Sequence, residues 1–484
     1  MGLRIKFFHA SIWDGASRLA VNAIAFGIFL LLARLVGPGK FGQVAFAAVF
    51  AEIITPFATT GLSQAIIQRS DWDEDFAATV FWTNIIVCSA LAVMVWVGAL
   101  LLIRVGHREV GAILSWLAVI PAITSISATH EAKLQRDMRF QALARRNIYA
   151  AFGGGGIGVF LALMGWGVWA LVTSRIIVVL LQTILGWQAA RWVPRRYFSM
   201  RLLKSHGSFA GYLTGVAFMA QMSSRAPDII IGVILSPAAV GFFRVGSRLL
   251  SAATDVVVTP LQRVALAGLS RLETPQRIAS AYLRMSSLCG FVAFPLFFGI
   301  AAIAPEITLL LFGPRWLPSA IVMLWLSPLA ALTCVTAFTP SVLTAAKRAD
   351  LNFSYSLTSL VATIVAVLSF AHFGLRWAAI GLMLRGLLLT GVGLALVKKA
   401  TALDLRAVAT SLFPAFGCAA AMGTCVWYAR AAVLPGVNAL TKLAILIPAG
   451  AILYGVLIVL LTPSTLRSVK NELTGLNMAD APAP

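Results

Sequence analysis

The apolar residues of this chain gather into consecutive blocks of about 18–28, the length a helix needs to cross ~30 Å of hydrocarbon. No other feature of the sequence restricts the fold as strongly. The blocks lie near 12–36, 41–67, 77–103, 109–129, 148–165, 168–190, 209–234, 238–262, 285–304, 319–345, 351–372, 377–397, 407–429 and 440–462. With 60% of its residues hydrophobic, 11% charged and a mean hydropathy of +0.90, the chain has too little polar surface to coat a soluble globule. It reads as an all-α polytopic membrane protein with about 14 transmembrane helices.

The first block follows Arg4 and Lys6 but carries Asp14, Arg18 and Asn22 and shows no cleavage-site pattern, so it reads as an uncleaved span. The net charge of +21 is distributed by side. With the N-terminus inside, the cytoplasmic gaps hold most of the Lys and Arg, including Lys133, Arg136, Arg139, Arg145 and Arg146 in one gap and Arg191, Arg195, Arg196, Arg201 and Lys204 in the next. The opposite gaps hold far fewer. The positive-inside rule then places both termini in the cytoplasm, and anionic lipid headgroups, not nucleic acid, are the expected partner of the basic loops. Residues 71–75, Asp-Trp-Asp-Glu-Asp, form an acidic cytoplasmic loop. Segments 130–147 and 263–284 are expected to lie as amphipathic connections on the cytoplasmic surface. The longest external gap, 305–318, is short.

Cys88, Cys289, Cys334, Cys418 and Cys425 are scattered through the spans without Cys-x-x-Cys or histidines at metal-ligand spacing. Packing is the expectation for them, and no metal site is expected. Gly153 to Gly156 lacks the Lys-Ser/Thr of a phosphate loop and suits close helix packing or a hinge. Pro38 and Gly42, after the first block, are echoed at one common offset by Pro237 and Gly241 after the seventh. Asp137 and Phe140 are echoed by Asp350 and Phe353 at a longer offset, which asks for an insertion within 263–318. A direct repeat divides the chain into residues 1–198 (helices 1–6), 199–400 (helices 7–12) and 401–484 (helices 13–14 and a short cytoplasmic tail). Parallel repeats of this kind hold substrate between their lobes.

Ionised side chains inside spans are costly and therefore point to function or to pairing. The basic ones are Arg18, Arg34, Arg175, Arg225, Arg244, Arg248 and Arg385. The acids are fewer: Glu52, Asp228 and Asp255, with Asp14 near the end of the first span. Asp14, Arg18 and Asn22 share one helix face, as do Gln221, Arg225 and Asp228, and as do Arg244, Arg248 and Asp255. Guanidinium groups stay charged and bind phosphate through paired hydrogen bonds. Arg18, Asn22, Gln221, Arg225, Arg244 and Arg248 are therefore candidate binders of an anionic substrate, and Glu52, Asp228 and Asp255 candidate sites for a coupling ion. The competing reading is that each Arg pairs with its neighbouring Asp to tie helices together. Arg34, near a span end, suits snorkelling.

The stretch from Ser17-Arg18 to Arg34-Leu35-Val36-Gly37-Pro38-x-x-Phe41-Gly42, with Gly61-Leu62-Ser63-Gln64-Ala65 and Leu134-Gln135-Arg136-Asp137-Met138-Arg139-Phe140, resembles the polysaccharide flippases of the multidrug/oligosaccharidyl-lipid/polysaccharide superfamily. The likeness is to the Wzx type, in the branch of exopolysaccharide or colanic-acid exporters. It implies two parallel six-helix lobes around a central cationic cleft, two extra C-terminal helices, and a place in the bacterial inner membrane. The implied activity is flipping of an undecaprenyl-diphosphate-linked oligosaccharide to the periplasmic leaflet by alternating access. It implies no cofactor, a Na+ or H+ gradient as candidate driver, and a polysaccharide polymerase and glycosyltransferases as candidate partners. A small-molecule or drug antiporter of the same superfamily is the alternative, which the arginine excess disfavours. A polytopic sugar polymerase, ligase or glycosyltransferase is a further one, disfavoured by the short external gaps.

Overall fold

A computed structural model describes residues 21–69, 71–269, 274–434 and 436–461. Among these residues every apolar block holds a helix and no strand occurs. The helices are α1 (described over Val21–Val36), α2 (Pro38–Thr59), α3 (Leu62–Gln68), α4 (Glu74–Arg104), α5 (Arg108–Leu117), α6 (Val119–Arg136), α7 (Phe140–Leu163), α8 (Val168–Ala190) and α9 (Met200–Ile234). They continue with α10 (Pro237–Leu269), α11 (Pro275–Ala302), α12 (Ala304–Leu311), α13 (Pro318–Thr336), α14 (Thr339–Ala345), α15 (Ala349–Ala371), α16 (Leu375–Thr401), α17 (Leu405–Tyr428) and α18 (Ala439–Leu461). Ten helical segments, three of them joining α2–α3, α5–α6 and α13–α14, are long and apolar enough to cross a membrane. The remaining blocks are α1, α7, α9 and α10. The last three carry the buried or half-buried Arg146, Arg225 and Arg244, which lower their apolarity.

Two expectations about the connections are corrected. Residues 130–147 form no separate connecting helix: α6 runs to Arg136, α7 starts at Phe140, and only a tight turn separates them. Likewise α10 extends to Leu269 and α11 begins at Pro275, so 263–284 is mostly prolonged spans. A helix satisfies its backbone internally whatever its side chains, and pairs such as Lys133–Asp137 at 2.9 Å support the polar turns. The gap at 305–318 is also largely helical and buries Trp316. The acidic loop has a local cause: Asp73 caps α4, accepting from the backbone N–H groups of Asp75 and Phe76 at 3.0 Å, and Glu74 and Asp75 complement the helix dipole. In that loop the Asp71 carboxyl is held below the usual range by its own backbone hydrogen bond and by Arg69.

The chain divides into two compact units, Met1–Gly241 and Phe242–Pro484. In the first, α2 runs antiparallel along α9. Gly42 meets Pro237, Phe46 covers Gly232, Glu52 meets Gln221 and Arg225, Phe57 packs on Phe218 at 5.5 Å, and Gly61 meets Thr214. Glycines permit this approach, since a Cβ at Gly42 would collide with the Pro237 carbonyl. The echoed motifs touch reciprocally: a Cβ at Gly241 would sit 2.8 Å from the Pro38 carbonyl oxygen. In the four-glycine run Gly153, Gly154 and Gly155 allow close packing, whereas Gly156 faces open space: a Cβ at Gly154 would lie 2.7 Å from the Val178 backbone nitrogen, and Ser174 donates to the Gly154 carbonyl at 2.9 Å.

In the second unit α11 packs against α13 and α17 and buries Tyr282, Phe294 and Phe297. The C-terminal pair α17–α18 is built into this unit. Phe416 packs edge-on against Phe294 and Phe298, and Tyr454 donates to the Phe291 carbonyl at 3.0 Å. A π-helical turn, Ala429–Val433, ends α17 and presents Arg430 to the buried Glu306 at 3.4 Å, while Lys442 of α18 lies 3.8 Å from the same carboxylate. Glu306→Gln is therefore expected to destabilise the protein by about 2–4 kcal/mol, because two nearly buried cations lose their counter-charge. A lower melting temperature in detergent and faster tryptic cleavage between α17 and α18 would register the change; unaltered melting would count against this anchor.

Candidate functional site

The first unit holds a four-charge cluster within its helices. Glu52, in the middle of α2, is shared by two guanidiniums: Arg175 of α8 reaches Oε1 from Nη1 at 2.7 Å, and Arg225 of α9 reaches Oε2 from Nε at 3.1 Å. Arg225 also lies 3.8 Å from Asp228, one turn on, whose side chain is 3% exposed. Gln221 donates to the Glu52 backbone carbonyl at 3.1 Å. The helices dictate this meeting. Gln221, Arg225 and Asp228 recur at intervals of four and three on α9, so they line the face that α2 packs against. α9 continues unbroken through Pro227, which stands between the arginine and the aspartate.

Among the described residues two arginines face two carboxylates here, and the side chains remain one-fifth to two-fifths exposed at Glu52, Arg225 and Arg175. A guanidinium has five donors, and each arginine gives Glu52 only part of its fork. Phosphate oxygens can take the remaining donors or replace the carboxylate, whereas a proton or monovalent cation on Glu52 would loosen both arginines.

Beside Arg175 opens an apolar cavity of about 290 Å³ lined by Ile28, Phe29, Val44, Ala151, Gly155 and Val178 among others. Among the remaining candidates, Arg18 lies outside the described residues, and Asn22 is exposed on α1. In the second unit Arg244 and Arg248 are half-buried on successive turns of α10, and Asp255 is exposed two turns beyond. Arg385 of α16 donates to Ser359 at 2.7 Å. Arg175 is a candidate-site residue that helical spacing leaves unassigned. The signal is that Glu52 and Arg175 are each the lone charge of their apolar block, 41–67 and 168–190, in the same half, a combination that favours pairing.

These features define a polytopic α-helical membrane protein with a charged cluster inside its helices. The chain belongs to the family described as polysaccharide biosynthesis protein, whose profile matches residues 31–321. It is 25% identical over 468 residues to the teichuronic acid biosynthesis protein TuaB of Bacillus subtilis (strain 168), covering 94% of this chain and 95% of that one. It is 21% identical over 390 residues to the lipopolysaccharide biosynthesis protein WzxC of Escherichia coli (strain K12), covering 76% and 75%. In fold it matches the lipid II flippase MurJ in an inward closed conformation, with a TM-score of 0.75 at 11% identity over 92% of this chain and 98% of that one. An inward-facing multidrug MATE transporter gives 0.54 at 17% identity over 79% and 94%. With its membrane-length helices and bacterial relatives, the chain is a multi-pass protein of the bacterial inner membrane.

Proposed function

We propose that this protein flips an undecaprenyl-diphosphate-linked oligosaccharide from the cytoplasmic to the periplasmic leaflet, supplying polysaccharide assembly. The observation that carries the reading is the Glu52–Arg175–Arg225 cluster held inside membrane-length helices. Intramembrane guanidiniums are costly to maintain, and a diphosphate is the polar part of a lipid-linked sugar that repays two of them with bidentate, charge-assisted bonds. The family, the polysaccharide-related names of its relatives and the flippase-like fold support the same direction.

In this reading Arg175 and Arg225 receive the diphosphate, with Arg18, Asn22, Gln221, Arg244 and Arg248 as further contacts, and the polyprenyl chain stays in lipid. Glu52, Asp228 and Asp255 are the groups on which a proton or sodium ion acts. Substrate phosphate and Glu52 compete for the same guanidiniums, so loading the carboxylate with a cation favours substrate capture. Both termini lie in the cytoplasm, and a polymerase and glycosyltransferases act before or after the flip. Alternating access opens the cluster first to one leaflet and then to the other.

The test is Arg225→Ala in the native host. Inserted at normal levels, the variant is expected to accumulate lipid-linked repeat units on the inner leaflet and to lower polymer output by about tenfold or more, the cost of one charge-assisted contact. Normal output from the variant would overturn the role of the cluster. Export of a small cationic drug in place of the lipid-linked sugar would overturn the substrate class.

A further inference from the structure

A second polar cluster lies in the first unit, away from Glu52, on the surfaces of α6, α7 and α8. Arg146 of α7 was expected in a cytoplasmic loop, yet it is only 5% exposed. Its Nη2 donates to Glu131 Oε2 at 3.0 Å and to Asn147 Oδ1 at 3.1 Å, and its Nε donates to the same Asn147 oxygen at 3.2 Å. Gln182 of α8 donates from Nε2 to that oxygen at 3.5 Å, and Gln135 donates to Glu131 Oε1 at 3.3 Å. Nη1 of Arg146 is buried and has no hydrogen-bond partner among the described residues; it lies beside Gly186, where an added Cβ would be 3.6 Å from it.

This wiring fixes which atoms are left open. Arginine only donates, so Asn147 must turn Oδ1 toward it and leave its Nδ2 hydrogens free. Because Oδ1 accepts from Gln182, the Gln182 amide in turn leaves Oε1 free. An open amide N–H pair beside an open amide oxygen matches a hydroxyl group, which donates and accepts at once. Asn147 and Gln182 are half-exposed, and Gln182 sits eight residues from the end of α8, about 12 Å along the helix. Hydrocarbon would leave these amides unsatisfied at a cost of several kcal/mol, so they face water or a polar ligand. Gln182 lies two turns from Arg175 on one face of α8, about 10 Å away. Between them Val178 and Ala151 line the cavity beside Arg175.

We infer that Asn147 and Gln182, oriented by Arg146 and Glu131, form a subsite for the saccharide hydroxyls of the lipid-linked substrate. The inference rests on the flipping proposed above and extends it: Arg175 and Arg225 take the diphosphate, and the amide pair reads sugar beyond the first ring. A purely structural tie between helices is the competing role.

The experiment uses the full-length protein reconstituted in phospholipid vesicles with two probes, polyprenyl-diphosphate-linked monosaccharide and the polyprenyl-diphosphate-linked oligosaccharide repeat unit. Asn147→Ala and Gln182→Met, the latter keeping length and helix preference, are expected to slow translocation of the oligosaccharide probe about three- to tenfold, the worth of one or two neutral hydrogen bonds. They should leave the monosaccharide probe unchanged. Arg146→Lys keeps the charge but not the fork, and should give the same selective loss. Equal losses for both probes, or none, would overturn the subsite. Ligand-induced shifts in melting temperature, read in detergent with the same two probes, separate this inference from the flipping reading. If wild type moves neither probe, flipping falls. The subsite still stands if the oligosaccharide raises the melting temperature of wild type more than that of Gln182→Met, and it falls if the two shifts agree.

Discussion

Glu52→Gln is expected to stop translocation and to lower the melting temperature of the detergent-solubilised protein by several degrees. The substitution keeps the shape of the side chain and removes its charge, leaving Arg175 and Arg225 confronting one another across a neutral amide. Their present separations from the carboxylate, 2.7 and 3.1 Å, show how close the two cations would remain. Removing one partner of a fully buried pair costs about 3–5 kcal/mol. Partial exposure of all three side chains screens the interaction, so a loss of about 2 kcal/mol is the better figure. The cause can be isolated with a cycle. Arg225→Gln in the Glu52→Gln background should recover part of the lost stability, because it removes the repulsion, but none of the translocation, because the diphosphate contact is gone as well. Melting identical to wild type in Glu52→Gln would sink the claim that this carboxylate holds the two arginines. Retained flipping would sink its place in the mechanism.

The second large effect is steric. Gly42→Val should destabilise the protein by about 1–3 kcal/mol or prevent its accumulation, since its Cβ would have to occupy the position of the Pro237 carbonyl, and backbone cannot swing aside as a side-chain tip can. Gly39→Ala, on the same first turn of α2 but with open space where its Cβ would stand, should stay within about 0.5 kcal/mol of wild type. The pair is informative because both changes replace a glycine near one helix start, and the difference in helix propensity between Val and Ala, about 0.5 kcal/mol, is smaller than the expected steric loss. Differential scanning fluorimetry of the two variants suffices, and equal behaviour would show that the contact of α2 with Pro237 yields. Gly241→Val, opposite the Pro38 carbonyl, should resemble Gly42→Val, since the contact is reciprocal.

The site was partly legible in the residues and partly not. Gln221, Arg225 and Asp228 could be placed on one face because helical spacing is local, and the rarity of charge inside spans singled out Glu52. Nothing local states which charge meets which. The pairing expected from spacing alone was Arg225 with Asp228. That contact exists at 3.8 Å, but the shorter one is from Arg225 to Glu52, far away in sequence. Arg146 was misplaced for the same reason: next to Arg145 and outside the apolar block it reads as loop, and only the packing of α6 and α8 around it shows that its guanidinium is buried.

The sequence by itself determined the solvent and the element type. Long apolar runs with little charge must satisfy their backbone internally in lipid, which leaves helices at these positions and no alternative register. It also marked where charge is out of place. Tertiary structure alone decided the partners: that Arg175 joins Arg225 on Glu52, that Asn147 and Gln182 leave their amides open, that Glu306 anchors the C-terminal pair, and that the echoed Pro–Gly motifs lie against each other. The physical reason is range. Helix formation and hydropathy are fixed by neighbours along the chain, whereas ion pairs and backbone approach depend on which helices lie side by side, and that follows from the packing of the whole unit.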